Sequence, residues 1–173
     1  MNTNQNKSKD SIDCEQKCSA VNKQHNSNSE LQVEIEKIQI KTLEDKLKKP
    51  FLGNERYIPF KGDPKTKIKP DIYSDEHNII GEVYTHLGKL KAAQMHKVNS
   101  DILKMLLFEK DSGVKYEKHY VVCDKATEES MRGNALIQAA IRLHGLKIDC
   151  FELDDELKQK LIKTMKRQDI TKG

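Results

Sequence analysis

No apolar run in this 173-residue chain approaches the roughly 20 residues of a membrane span, and the N-terminus lacks the apolar stretch of a signal peptide. These absences set aside the membrane classes and lead to the expectation of a soluble, cytoplasmic protein. Cysteine is equally sparse. Cys14 and Cys18 lie in a polar tail, and Cys123 and Cys150 fall in apolar segments that read as strands, so the four thiols make no disulfide framework and a reducing compartment is expected. Cys14, Cys18 and His25 have an unusual spacing for zinc and no fourth ligand nearby. Hydrophobic residues make up only 36% of the chain. A polar segment explains part of this: residues 1–29 are rich in Asn, Ser, Lys and Gln, cannot bury enough surface to offset ordering entropy, and read as a disordered arm. Residues 30–173 remain as a single domain, long enough for a sizeable core. There are no internal repeats.

The net charge of +4 is mild, but its distribution is uneven. Between Lys46 and Lys69 eight basic residues stand against Glu55 and Asp63, and the segment from Glu156 onward is again Lys-rich. Such patches suit phosphate backbones, although solvated lysines on an ordinary surface produce the same pattern.

Hydrophobic periodicity orders the domain. Residues 30–49 are strong helix formers with Leu31, Ile35, Ile38, Ile40, Leu43 and Leu47 at helical spacing, and Pro50 ends the helix. Arg56 to Phe60 reads as a short strand that Pro59 confines to an edge. The stretch Ile68 to Leu87 reads as a β-hairpin around the polar loop Asp75-Glu76-His77-Asn78. That register pairs Asp71 with Glu82. One face then carries Ile68, Pro70, Ile72, Ile79, Gly81, Val83 and Leu87 as core, and the other carries Lys69, Asp71, Tyr73, Ile80, Glu82, Tyr84 and His86. A helix is expected from Ala92 to Lys110, with Met95, Val98, Ile102, Met105 and Leu106 as its apolar stripe and Gln94, Lys97, Asp101 and Lys104 sharing a polar one. A buried strand (118–124), a helix (127–144), a strand (146–153) and a last helix capped by Asp154 follow. Alternating helices and strands in this order predict an α/β fold, a mixed central β-sheet flanked by helices.

Opposed carboxylates some 5 Å apart on one face repel unless one is protonated or a cation joins them, and a divalent metal is the natural candidate. Asp71 follows Pro70, ten residues separate it from Glu82, and the strand continues Gly81-Glu82-Val83-Tyr84. This pattern resembles the signature of the PD-(D/E)XK phosphodiesterase superfamily, whose fold is restriction-endonuclease-like, and the resemblance covers about residues 30–155. It implies a metal-dependent nuclease hydrolysing phosphodiester bonds in DNA. By resemblance, Asp71 and Glu82 bind Mg2+ or Mn2+, and an acid from the first helix, Glu44 or Glu36, completes the site.

Tyr84 stands where the family carries a lysine, and a tyrosine supplies no cation at neutral pH. Three replacements are open: Lys97 on the following helix beside Gln94, Lys69 opposite Tyr84 in the hairpin, or Lys89 and Lys91 in the loop. Asp71, Glu82 and Lys97 are thus the expected catalytic residues, and Lys69 and Gln94 the expected substrate contacts. His86 would support the site, and Tyr73 and Tyr84 could stack against bases or sugars, although sheet tyrosines mostly pack. The alternative is a nuclease-like domain that has lost catalysis and acts as a nucleic-acid-binding or protein-interaction module. Expected partners are nucleic acid and, because two-strand cleavage by a single-site enzyme calls for two copies, a second subunit in a homodimer.

Overall fold

A computed structural model of the chain describes residues 30–51, 56–133 and 135–170. The polar arm 1–29, with Cys14, Cys18 and His25, lies outside the described residues. The chain divides into two compact units, Met1–Glu34 and Ile35–Gly173. Of the first, residues 30–34 are described and are helical; the second contains the features below.

The first helix, α1 (30–47), ends where Lys48 takes a left-handed conformation (φ 57°) ahead of Pro50. Its last turn is tied down by Glu44, whose Oε1 accepts from the amide of Phe51 (2.7 Å). Ile35 and Leu43 are fully buried, whereas Ile38 faces outward. A two-stranded antiparallel ribbon follows, β1 (Ile58–Pro59) with β2 (Lys67–Ile68). Pro59 sits in this ribbon, outside the main sheet, where its missing N–H costs no ladder bond.

The main sheet has four strands in the order β3 (Ile72–Ser74), β4 (Ile79–Tyr84), β5 (Glu117–Val122), β6 (Lys147–Cys150). The β3–β4 pair is antiparallel, with Ile72 opposite Gly81 and Ser74 opposite Ile79, so the expected hairpin register and its loop 75–78 are both present. Asn78 closes that loop in a left-handed conformation (φ 49°), which Asn tolerates well. β4, β5 and β6 run parallel. Parallel neighbours require crossovers. Helix α2 (Ala92–Ser112) supplies the first, and α3 (Lys125–Ser130) with α4 (Leu136–Leu143) the second. The last helix, α5 (Asp155–Ile170), starts at Asp154, whose Oδ1 accepts from Leu157 N (2.8 Å).

The single helix expected over 127–144 is two. Residue 133 is a glycine, costly inside a helix, and the break is held by side chains: Gln138 Nε2 donates to Ser130 O (3.1 Å) and Arg142 to Gly133 O (2.7 Å).

Both faces of the sheet are covered. Ile72, Ile79, Val83 and Val121 pack with Leu43 of α1. Ile80, Tyr84, Tyr120 and Val122 pack under Val98, Ile102, Met105 and Phe108 of α2. All six residues of β4 are therefore buried, the pattern of a strand with helices on both sides. This corrects the expectation of one core face and one polar face. Cys123 and Cys150 are free thiols, as expected, and Cys123 Sγ donates to Tyr84 O (3.4 Å). Among the described residues no helix is long and apolar enough to cross a membrane.

At Gly81 β4 lies close against β5. A Cβ there would stand 2.7 Å from the backbone oxygen of His119. Gly81→Ala is expected to destabilise the protein by about 1–3 kcal/mol, the usual cost of overpacking, read as a lowered urea midpoint with an unchanged m-value.

Candidate active site

The register that pairs Ile72 with Gly81 carries Asp71 to the position beside Glu82, one residue beyond that rung. Asp71 Oδ2 accepts from Val83 N (2.9 Å), so its carboxylate is pinned to the backbone of β4 directly after Glu82. Asp71 is half-buried, while Glu82 is only 2% exposed. Glu82 points to the α2 side of the sheet, because Ile80 and Tyr84 at the alternating positions pack there.

Helix α2 meets this carboxyl with charge. Lys104 Nζ lies 2.6 Å from Glu82 Oε1 and 3.7 Å from Asp101 Oδ1. Lys97 Nζ donates to Asp101 Oδ2 (2.7 Å), and Tyr120 OH donates to the same oxygen (3.1 Å). Three members of the polar stripe expected on this helix, Lys97, Asp101 and Lys104, are thus linked, and Lys104 meets Glu82. Asp101 itself is buried in line with Val98 and Met105, which two lysines and a tyrosine hydroxyl make tolerable.

The electrostatics are those of a crowded, dry acid pair. Burial, and then the neighbouring charge of Asp71, push the Glu82 carboxyl from an ordinary 4.5 up to about 9, with Lys104 offsetting only part of the shift. Burial works to lower the Lys97 ammonium. Its bond to Asp101 and the charges of Asp101, Glu82 and Asp71 outweigh this, and it is held above its usual value. Lys97 therefore belongs to the field of the pair, although its contact is with Asp101.

Other expected contributors are placed elsewhere. Lys69 is not opposite Tyr84: it continues the β1–β2 register, which sets it across from Tyr57, and its Nζ lies 5.9 Å from the centre of that ring. Gln94 Oε1 accepts from Lys91 N (2.8 Å), closing the first turn of α2. Glu44 is engaged by Phe51 N and Lys41 at the end of α1. Tyr84 is buried with its hydroxyl unpartnered, burial raising its phenol to about 12, and His86 packs against its ring at 5.2 Å. Tyr73 OH donates to Asp75 (3.1 Å), in the hairpin loop. Sequence reading passed over Lys104 as the partner of Glu82. The signal was present, since Lys104 shares the stripe with Lys97, but only the depth of the helix over β4 decides between them.

Two carboxylates suit Mg2+, which keeps most of its waters and commonly takes one or two protein acids. Glu82 Oε1 is a deeply buried oxygen whose close contact is the Lys104 ammonium at 2.6 Å. Among the described residues no three His, Cys, Asp or Glu side chains are grouped to hold a metal. Asp71 and Glu82 thus fit a cation completed by water, in competition with Lys104.

A second charged cluster, which sequence reading missed, lies between β5, β6 and the end of α1. His119, 1% exposed, has Nδ1 at 2.6 Å from Asp149 Oδ2 and Nε2 at 3.1 Å from Glu117 Oε1. Lys46 reaches Asp149 Oδ1 (2.6 Å), and Lys147 and Lys49 reach Glu117. Burial works to raise the Asp149 carboxyl, yet His119 and Lys46 hold it below its ordinary value. No sequence pattern signals this cluster, whose members are brought together by the parallel pairing of β5 with β6.

Two outcomes are expected. Glu82 holds a proton in the folded state between about pH 4.5 and 9 that the unfolded chain releases, so stability falls as pH rises through that window. In chelator, urea unfolding of Glu82→Gln at several pH values is expected to lose this slope, the variant gaining on wild type towards pH 9. Asp149 has the opposite sign: its contribution is complete above its unfolded pKa and is lost as pH falls through the lower folded one. Asp149→Asn is expected to cost about 3–5 kcal/mol at neutral pH, since it removes the buried carboxylate charge that His119 and Lys46 share, and less in acid. The family models, curated proteins and solved structures compared with the chain gave no match.

Proposed function

We propose that the chain is a metal-dependent nuclease of PD-(D/E)XK type on a restriction-endonuclease-like fold, hydrolysing phosphodiester bonds in DNA, with Lys104 in the role for which the family uses the lysine replaced here by Tyr84. The observation that carries this is the convergence of Asp71, just before β3, and the Lys104 ammonium of α2 on the buried Glu82 of β4. The order of a helix, a hairpin bearing the acids, a crossover helix and a parallel strand supports it.

Each residue has a distinct task. Asp71, pinned by Val83 N and partly open to solvent, and Glu82, in competition with Lys104, would hold Mg2+ or Mn2+. The ion, when bound, supplies Lewis-acid stabilisation of the phosphate and lowers the pKa of a coordinated water. Glu82 must then give up its proton, so occupancy favours alkaline pH. Lys104, whose Nζ lies 2.6 Å from Glu82, would offer its ammonium to the charge developing on the phosphate. Asp101, held by Lys97 and Tyr120, keeps Lys104 oriented at the site. Lys97, its side chain 52% exposed, is placed to meet an incoming phosphate.

One observation favours a second reading. Lys104 already occupies the Glu82 carboxyl at 2.6 Å, where an ion would bind, and a site closed in this way suits a non-catalytic nucleic-acid-binding module.

Incubation of the protein with plasmid and single-stranded DNA, in magnesium, manganese or chelator, separates the two. The nuclease is expected to cleave only with metal, to show no cleavage as Glu82→Ala, to lose about 10²–10³ in rate as Lys104→Ala, and to lose less as Lys97→Ala. Absence of metal-dependent cleavage on every substrate selects the binding module.

A further inference from the structure

The β1–β2 ribbon is not absorbed by the acid-pair site, yet it leads directly into it: Lys69 precedes Asp71 by two residues. Residues 56–69 contain Arg56, Lys61, Lys65, Lys67 and Lys69 against a single acid, Asp63. The acids in and around the ribbon are spent on its backbone. Asp63 Oδ2 accepts from Thr66 Oγ1 (2.6 Å) and its backbone oxygen from Thr66 N (3.0 Å), which shapes the turn. Asp111, at the end of α2, accepts from Lys61 N (2.5 Å) and Gly62 N (2.8 Å). Lys61 Nζ donates to Ser112 O (2.8 Å), and Phe60 packs edge-on against Phe108 at 5.9 Å. The ribbon is therefore clamped to α2 rather than left to move.

Its outer face carries the cations. Along β2 burial alternates, Lys67 and Lys69 exposed and Ile68 and Pro70 buried, so the two lysines project from the same side about 7 Å apart. In the antiparallel register Pro59 lies opposite Lys67, and Tyr57 lies opposite Lys69 on that same face. Tyr57 is 64% exposed, with the Lys69 ammonium over its ring. Among the described residues no carboxylate forms an ion pair with Lys65, Lys67 or Lys69.

A rigid row of unneutralised lysines beside an exposed aromatic ring is complementary to a backbone of phosphates bearing unpaired bases. The geometry points to the β1–β2 ribbon as a docking element for a single-stranded polynucleotide, with Lys65, Lys67 and Lys69 on consecutive phosphates and Tyr57 stacked on a base. A base inside a duplex has no free face for Tyr57, which is why the occupant is a single strand. The strand leaves the ribbon at Lys69 and continues to Asp71. This names the substrate of the acid-pair site and rests on the nuclease reading for that direction of travel, whereas the binding itself does not depend on catalysis.

The test is fluorescence anisotropy of the full chain with labelled oligo-dT, oligo-rU and a duplex, in chelator, over a range of salt. Wild type is expected to bind the single strands more tightly than the duplex, and the two homopolymers separate DNA from RNA as the source of the strand. Lys65→Gln/Lys67→Gln/Lys69→Gln is expected to weaken single-strand binding at least tenfold and to reduce the log–log salt slope by about 2, since each neutralised phosphate on a single strand accounts for roughly 0.7 of that slope. Tyr57→Ala is expected to weaken it about tenfold with the salt slope unchanged, as removal of one stacked base predicts. All these positions are exposed, and thermal melting checks that the variants fold as wild type does. Single-strand binding that is absent, no tighter than duplex binding, or insensitive to both ribbon variants overturns the proposal. Ribbon-dependent binding without metal-dependent cleavage defeats the nuclease reading alone; cleavage with ribbon-independent binding defeats the ribbon alone.

Discussion

The rest of this structure is arranged around a carboxyl group in the wrong place. Glu82 sits at the middle of a sheet, in a strand whose every residue is buried. An ionised carboxylate there is costly unless paired, and the nearest acid, Asp71, makes the cost greater. The chain answers with α2, which lays a stripe of alternating charge along the seam where a fully apolar helix would have packed better. Lys104 reaches the carboxyl, Asp101 positions Lys104, and Lys97 and Tyr120 in turn satisfy Asp101. A network of this depth is poor evidence for stability, since apolar residues of similar volume commonly do as well. Its presence on a sheet that already has two good apolar faces is the feature from which the proposed function is argued.

The two sides of the sheet manage buried charge differently. On the α2 side the acids outnumber what Lys104 can neutralise, and Glu82 is driven towards its protonated form. On the other side Asp149 and Glu117 are balanced by His119, Lys46 and Lys147, and both acids are held below their ordinary values. The second network ties α1 to β5 and β6 and is saturated, whereas in the first burial and Asp71 leave Glu82 short of compensating positive charge. A saturated network holds elements together. An unsaturated one is able to take up a proton or an ion.

Much of this was legible in the chain. Period-two and period-3.6 patterns located the strands and helices of the domain, and the length of the polar loop 75–78 was enough to set the hairpin register and bring Asp71 beside Glu82. The polar stripe on α2 was legible too, because offsets of three and four place residues on one face whatever the tertiary context. The helix over 127–144 was overextended because its propensity is high on either side of a single glycine. Lys69 was misplaced for a related reason: it sits between two ladders, and local pattern does not say which of them a residue joins.

By itself the sequence determined the local elements, the hairpin register and the membership of the charged stripe, all of which follow from interactions between residues near one another along the chain. Only the tertiary structure decided that both faces of β4 are covered, that Lys104 rather than Lys97 meets Glu82, and that His119 and Asp149 lie side by side. Each of these depends on how far one element slides across another. That offset is fixed by the packing of Val98, Ile102 and Met105 over Ile80 and Tyr84, and by the parallel pairing of strands separated by whole crossovers. No short-range pattern carries it.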